Sequence, residues 1–393
     1  MSGCVAVINA GSSSIKFAIY DAAEGEPLMF HGKVDGIGVA PKLEASDAGG
    51  GEVAAQTWPS LDHAAATGEI LRVARGLIAG RPVLAVGHRV VHGGVRFDAP
   101  VLIDAEVIAA LRELIPLAPL HQPHNIAPIE AIAAAAPQIP QVACFDTAFH
   151  HGQPPLAQMF ALPRKYAAAG VRRYGFHGLS YEYVSGRLAE IAPQLAAGRV
   201  VIAHLGNGAS LCALQGGRSI ATTMGFTALE GLVMGTRSGA LDPGVLIHLM
   251  DVFRLGARGI EDLLYRRSGL LGVSGVSSDM RALRASPEPA AAEAIALFVY
   301  RIVREIGSMA AALGGLDGLV FTGGIGENDV ATRAEVAAGC AWLGLDLDTA
   351  RNAAGGPLIS QGGPKLAAWV IPTDEERIIA RHARTLVAVE PAA

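Results

Sequence analysis

The stretch from Arg199 to Leu214, RVVIAHLGNGASLCAL, joins a run of apolar β-branched side chains to a polar, glycine-rich turn. The run Val200–Ala203 is typical of a strand that is buried on both faces. His204, Asn207 and Ser210 follow at once, among glycines. Because glycine lacks a Cβ, the backbone N–H groups near it can approach a ligand closely enough to cradle phosphate oxygens. The stretch therefore predicts phosphate binding at the end of a strand.

Two other stretches have the same form, Val5–Ile19 and Leu319–Asn328. Two further predicted strands end in Gly87-His88-Arg89 and in Asp146-Thr147. One glycine turn is weak evidence, since buried strands often end in glycine-rich loops for steric reasons. In open α/β sheets, however, ligands bind beyond the carboxyl ends of the strands. Five strand ends that each carry polar groups predict one shared cleft.

Two irregular segments add cationic side chains to these strand ends. The segment 172–183, RRYGFHGLSYEY, contains His177, although a solvated loop would explain this composition equally well. The segment Thr222–Gly244 is rich in glycine and threonine and carries Arg237. A loop of that length inside a compact domain is usually functional.

Helical periodicity and breaker residues predict the elements that carry these groups. Helices are predicted over Leu61–Ala79, Asp104–Ile115, 129–136 and Pro287–Leu313, and after Ile371. The Pro287–Leu313 helix has the strongest apolar stripe, which indicates a core helix. Two segments are predicted to be irregular, Ala45–Pro59 as a glycine-containing surface loop and Leu117–Pro128 because prolines crowd it.

Composition indicates a folded chain with small-molecule chemistry. The 393 residues exceed one ordinary core and predict two domains, with the cleft between them. Hydrophobic residues make up 51% of the chain, and 31 Lys+Arg against 36 Asp+Glu give a net charge of −5. A mildly acidic chain without a basic run is a poor candidate for binding nucleic acid or an anionic membrane.

The start of the sequence has no signal-peptide pattern, and no apolar run reaches membrane-spanning length, so a cytoplasmic location is expected. The four cysteines lie in apolar segments without C-x-x-C spacing, as expected of buried thiols. The histidines at 121, 124, 150 and 151 lack the H-E-x-x-H pairing of a zinc site.

Taken together, the motifs resemble those of the acetate kinase family of acyl-phosphate-forming kinases. They are INAGSSSIKF, GHRVVHGG, FDTAFH, RRYGFHG, HLGNGAS, MGTRSG, FTGGIGEN and PTDEE, and they extend in order over nearly the whole chain. The resemblance implies the sugar-kinase and actin superfamily, an α/β fold of two ribonuclease-H-like domains (a duplicated βββαβαβα) flanking an ATP cleft. It also implies ATP/ADP and Mg²⁺ or Mn²⁺ as cofactors, a small carboxylic acid substrate and a homodimer. The implied domains are 1–149 plus 377–393, with a returning C-terminal helix, and a nucleotide-binding domain over 150–376.

The resemblance also implies roles for individual residues. The implied catalytic residues are Asp146, His177 and Arg237. The implied substrate-binding residues are Arg89, Val91, Leu120 and Phe176. The implied nucleotide-binding residues are Lys16, His204, Leu205, Gly206, Asn207, Gly208, Asp279, Met280, Arg281, Gly324, Ile325, Gly326, Glu327 and Asn328. The implied metal-binding residues are Asn9 and Glu375.

The sequence departs from the family pattern at a few positions. Leu179-Ser180-Tyr181 stands where Thr-Ser-His is usual, Ala228 replaces a proline, and Ala240 replaces an aspartate. These departures leave the implied catalytic set whole and affect substrate size and loop rigidity. Phe176 is expected to fill the floor of the acyl pocket and favour a two-carbon acid, whereas Ala228 is expected to admit a longer chain.

Several other protein classes are alternatives to this assignment. The P-loop and Rossmann fingerprints are absent. An assembly-forming ATPase of the same superfamily would have no use for Arg89 as a carboxylate clamp. Propionate kinase remains the alternative within the enzyme class, and a sugar or glycerol kinase is more distant because a hydroxyl acceptor needs a base. A substrate carboxylate is already ionised at neutral pH, so Asp146 is expected to orient magnesium or water rather than act as a base.

Overall fold

A computed structural model describes residues 3–11, 13–23, 25–363 and 365–389. The last four residues of the predicted first domain, 390–393, lie outside these ranges. The chain forms two compact units, one up to Phe149 together with the residues from Asp374 onward, and the other over His150–Thr373. The second boundary thus lies three residues before the predicted one at 376/377. None of the helices among the described residues is long and apolar enough to cross a membrane.

The first unit is built on a sheet in which a meander precedes parallel strands. Its strands are β1 (Cys4–Ala10), β2 (Ser14–Asp21), β3 (Leu28–Asp35), β4 (Lys42–Asp47), β5 (Glu52–Thr57), β6 (Val83–Val90), β7 (Val101–Leu102) and β8 (Gln141–Phe145). Their order across the sheet is β5-β4-β3-β2-β1-β6-β8-β7. β1 pairs antiparallel with β2 and parallel with β6, and β6 pairs parallel with β8. The carboxyl ends of β1, β6 and β8 therefore lie at one edge.

The prediction of a loop over Ala45–Pro59 is wrong, because β4 and β5 form a hairpin there. Asp47 Oδ1 closes its turn by accepting from Gly49 N at 2.8 Å and Gly51 N at 2.9 Å. β5 is an edge strand, and nearly all of its side chains are exposed. Without a buried face it lacks the apolar alternation by which strands are recognised in a sequence.

Three helices pack on this sheet, α1 (His63–Leu77), α2 (Ala105–Glu113) and α3 (Gln122–Ala135). The prediction of an irregular Leu117–Pro128 segment is wrong from Gln122 onward. Pro123 lies in the first turn, where an N–H has no intrahelical partner. Pro128 lies inside the helix, which is anchored by buried polar side chains such as Asn125. Tertiary packing therefore outweighs the helix-breaking tendency of proline here.

The second unit repeats the strand arrangement of the first. Its strands are β9 (Arg199–Leu205), β10 (Ala209–Gln215), β11 (Arg218–Thr222), β12 (Gly318–Thr322) and β13 (Ala367–Val370). Their order is β11-β10-β9-β12-β13. In each unit the third, second, first, fourth and fifth main strands thus stand side by side, with the first three antiparallel and the last two parallel to the first. The predicted duplicated α/β fold is confirmed.

The helices of the second unit cover this sheet and its edges. They are α4 (Arg164–Ala168), α5 (Gly178–Ile191), α6 (Pro193–Ala196), α7 (Pro243–Val252), α8 (Ala257–Arg266), α9 (Gly269–Ser274), α10 (Met280–Ala285), α11 (Pro289–Leu313), α12 (Gly323–Asn328), α13 (Val330–Gly339) and α14 (Thr349–Ala353). Across both units, short 3-10 helices occupy Ile115–Leu117, Ala148–His150, Pro155–Gln158 and Ala341–Leu343. The predicted core helix is α11, whose buried residues include Ile295, Phe298, Ile302 and Ile306.

The last helix, α15 (Glu375–Val389), packs on β6 and β1 of the first unit. Gly87 permits this approach, because a Cβ there would lie 2.5 Å from Ile379 Cγ2. Ile378, Ile379 and Ala383 are buried. The helix therefore places Glu375, its first residue, among the strand ends of β1, β6 and β8.

Candidate active site

Arg89 and Asp146 form a buried ion pair in the first unit. Arg89 stands near the end of β6, and Asp146 directly follows β8, the neighbouring parallel strand. Arg89 Nε donates to both carboxylate oxygens at 3.1 Å, and Nη2 donates to Oδ2 at 2.5 Å. The side chain of Asp146 is 1% exposed and that of Arg89 is 19% exposed. Paired charge-assisted hydrogen bonds fix the orientation of both groups. The strand register thus brings two predicted site residues together.

Oxygen atoms of two more predicted residues surround the same guanidinium. Asn9 Oδ1 accepts from Arg89 Nη1 at 3.3 Å, and Glu375 Oε2 lies 3.9 Å from Arg89 Nε. Burial, opposed by Arg89 and reinforced by Asp146, raises the pKa of Glu375 to about 7. Asn9 Nδ2 also donates to Glu376 Oε1 at 2.9 Å. Three carboxyl groups, those of Asp146, Glu375 and Glu376, thus lie near one guanidinium.

These groups have the donor chemistry of a hard divalent cation. Carboxylate and amide oxygens are the ligands that Mg²⁺ and Mn²⁺ prefer, and Mg²⁺ usually takes only one or two carboxylates from the protein. Within the described residues, no three His, Cys, Asp or Glu side chains form a metal cage. A cation here would therefore need the Asn9 amide and the oxygens of a substrate as well as Glu375. The residues present fit such an ion.

The other predicted residues of the first unit have separate surroundings. Val91 is buried, and its N–H donates to Asn125 Oδ1 at 2.9 Å. Asn125 Nδ2 donates in turn to Ala10 O at 2.7 Å, which links the end of β1 to the end of β6. Leu120 is half-buried, and Lys16 is exposed on β2. Asn125 is not predictable from the sequence, because the prolines around it favour an irregular segment.

Two stacked histidines lie at the strand ends of the second unit. The rings of His177 and His204 have centroids 4.2 Å apart and an interplanar angle of 21°. His177 Nδ1 lies 2.8 Å from Ser210 Oγ, and His204 Nδ1 lies 2.8 Å from Ser180 Oγ. His177 precedes α5 with φ 59°, a left-handed conformation that is uncommon for a residue other than glycine. The stacking and the two serines fix both rings.

Gly208 leaves space next to two of the predicted catalytic side chains. A Cβ on this residue would lie 3.2 Å from His177 Nε2 and 3.7 Å from Arg237 Nη1. Arg237 Nη1 also donates to Ala228 O at 2.9 Å, which holds the guanidinium in position. A ring nitrogen and a guanidinium nitrogen thus flank a site without a side chain. Such a site suits an anionic oxygen.

A cavity of about 920 Å³ in the second unit brings three of the predicted nucleotide-binding segments together. The predicted residues that line it are Gly206, Asn207, Asp279, Met280, Arg281, Gly324, Ile325 and Asn328. The other predicted nucleotide-binding residues of this unit do not line the cavity. They are His204, Leu205, Gly208, Gly326 and Glu327. The volume lies in the range of ligand sites.

A model of the acetokinase family matches residues 4–381 of the chain. The chain belongs to this family. It is 55% identical over 389 residues to an acetate kinase of Rhodopseudomonas palustris (strain ATCC BAA-98 / CGA009), covering 97% of this chain and 98% of the relative. It is 50% identical over 385 residues to an acetate kinase of Rhizobium meliloti, with coverages of 97% and 98%.

Solved structures of the acetokinase family share the fold of this chain. The crystal structure of Porphyromonas gingivalis acetate kinase has a TM-score of 0.89 and 41% identity, covering 98% of this chain and 100% of that one. A propionate kinase from Francisella tularensis has a TM-score of 0.91 and 35% identity, with coverages of 98% and 99%. The resemblance inferred from the motifs is confirmed.

Two of the predicted nucleotide-binding residues have side chains that hold the backbone in place. Asp279 caps α10 by accepting from Arg281 N and Ala282 N, and its hydrogen bond to the Arg281 guanidinium lowers its pKa to about 2. Glu327 Oε1 accepts from Gly323 N at 2.8 Å and from Thr373 N at 3.1 Å. Gly324–Asn328, predicted as a turn, lies within the short helix α12.

Sequence reasoning missed Arg284 and Asp329, which also line the cavity. Arg284 donates to both carboxylate oxygens of Glu335 at 2.7 Å and to Asp329 Oδ2 at 3.3 Å. These contacts tie α10 to α13. No glycine motif surrounds Arg284, and only its position three residues after Arg281 could have indicated it.

Phe176, which fits the family pattern, and the positions that depart from it are mostly internal. Phe176 is 2% exposed and belongs to the hydrophobic core of the second unit, and Leu179 and Tyr181 are buried. Ala228 is partly buried against that core. Ala240 is exposed, and its N–H donates to Gly231 O at 2.9 Å. The contact of Ala228 with Arg237 is made by the carbonyl oxygen of Ala228, which any residue at this position would also provide.

Proposed function

We propose that this chain is an acetate kinase that transfers the γ-phosphoryl group of ATP reversibly to acetate, giving acetyl phosphate and ADP. The observation that carries the proposal is the family match over residues 4–381, a range that includes both the Arg89–Asp146 pair and the His177–Arg237 pair. The 55% identity to an acetate kinase over nearly the full length of both chains supports acetate as the substrate.

His177 and Arg237 have the role of stabilising the phosphoryl group during transfer. Their Nε2 and Nη1 atoms flank the space beside Gly208. The transition state of phosphoryl transfer is loose and spreads negative charge over the equatorial oxygens, so fixed donors act mainly by electrostatics. Each such donor is worth about 10² to 10³ in rate. The Ala228 carbonyl and the Ser210 hydroxyl hold the two donors before substrate arrives.

Arg89 has the role of binding the substrate carboxylate. Asp146 occupies the edge formed by Nε and Nη2. Each terminal nitrogen carries two N–H groups, of which Nη2 uses one for Asp146 and Nη1 uses one for Asn9, so the edge formed by Nη1 and Nη2 keeps one N–H on each nitrogen for a planar carboxylate. Asp146 fixes the direction of this edge and has no proton to remove from an ionised acid. Val91, Leu120 and Phe176 are the proposed apolar contacts of the acyl group.

Asn9 and Glu375 are the proposed holders of Mg²⁺ or Mn²⁺, with Asp146 orienting the ion or its water. A bound ion would neutralise charge on the phosphate oxygens. The 920 Å³ cavity is the proposed nucleotide site, and Lys16 is proposed to reach the phosphates. All four cysteines are buried thiols, which supports a cytoplasmic location.

A homodimer is the proposed assembly, and α7 is its proposed interface. Each of the ten described residues of α7 is at least partly exposed, although the segment is mostly apolar. Ile247 and Val252 are each 61% exposed, Phe253 is 62% exposed and Met250 is 43% exposed. Contiguous exposed apolar side chains of this kind mark an interaction surface.

Trapping of the acyl phosphate tests the activity. The protein is incubated with ATP, Mg²⁺ and acetate, propionate, butyrate or glycerol, and hydroxylamine converts any acyl phosphate to a hydroxamate. Hydroxamate is expected with acetate and to a smaller extent with propionate, and none is expected with glycerol. Propionate as the preferred acid would identify a propionate kinase instead. ADP release without hydroxamate from any acid would contradict the proposal.

A further inference from the structure

Tyr181 and Ser210 connect the protein interior to the ring of His177. Tyr181 lies in the first turn of α5, where its N–H donates to the carbonyl oxygen of His177, the residue before the helix, at 3.0 Å. Tyr181 Oη is 2.5 Å from Ser210 Oγ, and Ser210 Oγ is 2.8 Å from His177 Nδ1. Tyr181 and Ser210 are both 0% exposed. The two hydroxyls therefore form a buried hydrogen-bonded chain that ends on the ring nitrogen opposite Nε2.

The chain constrains where protons can be. Ser210 has one hydroxyl proton and two neighbours within hydrogen-bonding distance, so at least one neighbour must donate to it. If Tyr181 donates to Ser210, the serine proton is available for His177 Nδ1. Nδ1 then acts as an acceptor, and the neutral imidazole must carry its proton on Nε2. Burial raises the pKa of Tyr181 well above its usual value, so its hydroxyl keeps the proton that it donates.

We propose that Tyr181 and Ser210 are positioning residues that hold His177 as the neutral imidazole with its proton on Nε2. This inference rests on the proposed function for its purpose: Nε2–H then points a hydrogen-bond donor at the space beside Gly208, where the phosphoryl oxygen is proposed to bind. The opposite tautomer would present a lone pair to an anionic oxygen and repel it. No proton needs to move during the reaction, because the donor is in place beforehand.

The sequence feature behind this chain is the tyrosine at position 181, where the family pattern usually has histidine. A phenolic hydroxyl differs from an imidazole because it always carries its one donor proton when buried. The Tyr181 hydroxyl thus has a proton to donate to Ser210, whereas a neutral imidazole nitrogen could be either a donor or an acceptor. The departure would otherwise be a substitution in the core without an evident role.

Nuclear magnetic resonance of the full-length protein with ¹⁵N-labelled histidine tests the tautomer without substrate. Long-range ¹H–¹⁵N correlations distinguish a protonated from an unprotonated ring nitrogen, and His177→Gln identifies the signal among the 12 histidines. His177 is expected to show an unprotonated Nδ1 and a protonated Nε2 near neutral pH. Tyr181→Phe and Ser210→Ala are expected to move both signals toward a mixture of tautomers. A protonated Nδ1 in the unsubstituted protein, or identical signals in Tyr181→Phe, would overturn the proposal.

Kinetics of the same variants supply the second readout. Tyr181→Phe and Ser210→Ala are each expected to lower kcat roughly 10- to 100-fold, with KM for ATP nearly unchanged. Because Tyr181 acts through Ser210, the double variant should be no slower than Ser210→Ala alone. Tyr174→Phe is the matched control, since its hydroxyl donates to Gly170 O in the same unit, and it should change neither kcat nor the spectrum. Multiplicative losses in the double variant would contradict the chain. Absence of hydroxamate from the unsubstituted protein would contradict the proposed function instead and leave the spectrum interpretable.

Discussion

At the scale of single residues, Gly208 matters because of the side chain that it lacks. Gly208→Ala would place a methyl group 3.2 Å from His177 Nε2, in the space proposed for a phosphoryl oxygen. We expect kcat to fall about 10²-fold, because a displacement of reacting groups by about 1 Å has an effect of this size. KM for ATP should change little, since Gly208 does not line the 920 Å³ cavity.

Gly186→Ala is the control for this substitution. Gly186 lies within α5, and a Cβ there would meet no atom within 4 Å. Alanine also has the higher helix propensity, so this variant should be active and at least as stable as the unsubstituted protein. Steady-state rates from hydroxamate formation give the comparison. Equal kcat values for both variants would mean that the space beside Gly208 is not used in the reaction.

Arg89 and Arg237 are expected to affect different kinetic constants. Arg89→Ala removes the proposed partner of the substrate carboxylate and should raise KM for acetate, although the loss also leaves Asp146 buried without its cation. Arg237→Ala removes a donor to the phosphoryl group and should chiefly lower kcat. Arg89→Lys should restore little, because lysine lacks the planar fork that serves Asp146 and substrate together. If acetate saturates Arg89→Ala at the usual concentration, Arg89 does not bind the carboxylate.

At the scale of elements, Arg284 is expected to control nucleotide affinity by holding two helices together. It bridges α10 to Asp329 and Glu335 at α13, and the ends of both helices line the cavity. Arg284→Ala should raise KM for ATP roughly tenfold and change kcat less, because the wall of the site loses its fixed spacing. Arg258→Ala is the control, since Arg258 forms an exposed ion pair with Glu261 within α8. Equal KM values in the two variants would show that the bridge has no role in binding.

The elements that sequence reasoning predicted well are those with a strong apolar period. β9, β10 and α11 bury continuous runs or stripes, so their pattern was visible. The β4–β5 hairpin was missed because its outer strand has no buried face. The start of α3 was missed because proline propensity counted against it, while the buried contacts of Gln122 and Asn125 were invisible in one dimension.

The sequence indicates which residue types form the candidate site, but it does not indicate which of these residues contact one another. Glycine turns and isolated cations indicated His177, Arg237 and the cavity segments. The partner of Arg89 comes from a distant part of the chain, because Asp146 lies 57 residues further on. Only the strand register brings them into contact, and a motif does not encode that register.

At the scale of the whole molecule, the exposed apolar face of α7 predicts a dimer that a charge should disrupt. Ile247→Glu together with Phe253→Glu should give a monomer in light scattering coupled to size-exclusion chromatography, whereas the unsubstituted protein should have twice the mass of the chain. Val39→Glu is the control, because Val39 is an apolar residue that is 83% exposed and belongs to the first unit, whereas α7 belongs to the second. A dimer that survives both glutamates would place the interface elsewhere.

Acid sensitivity is the second property of the whole molecule, and it follows from three buried histidines. Burial lowers the pKa values of His88, His92 and His150 to about 4. An unfolded histidine binds a proton near pH 6.5, whereas these three do not do so in the folded protein until about pH 4. Unfolding therefore takes up protons at these three groups between the two values, so their contribution to the free energy of unfolding decreases as the pH falls through this window. Glu375, whose pKa is raised to about 7, acts in the opposite direction below that value, but as one group against three. Each histidine contributes a loss of about 1.4 kcal/mol per pH unit, or roughly 2 kcal/mol between pH 6.5 and pH 5.

His88 allows this expectation to be measured one group at a time. It is 1% exposed, and its Nε2 lies 2.7 Å from Gln141 Oε1, so His88→Asn keeps a polar amide near Gln141 and removes the titration. The apparent Tm of the unsubstituted protein should fall between pH 7 and pH 5, and the fall should be smaller in His88→Asn, whatever the variant's stability at pH 7. His31→Asn, at an exposed position of β3 in the same unit, should keep the full decrease. If all three proteins lose the same number of degrees, protonation of His88 does not limit stability in acid, and the loss arises from other groups.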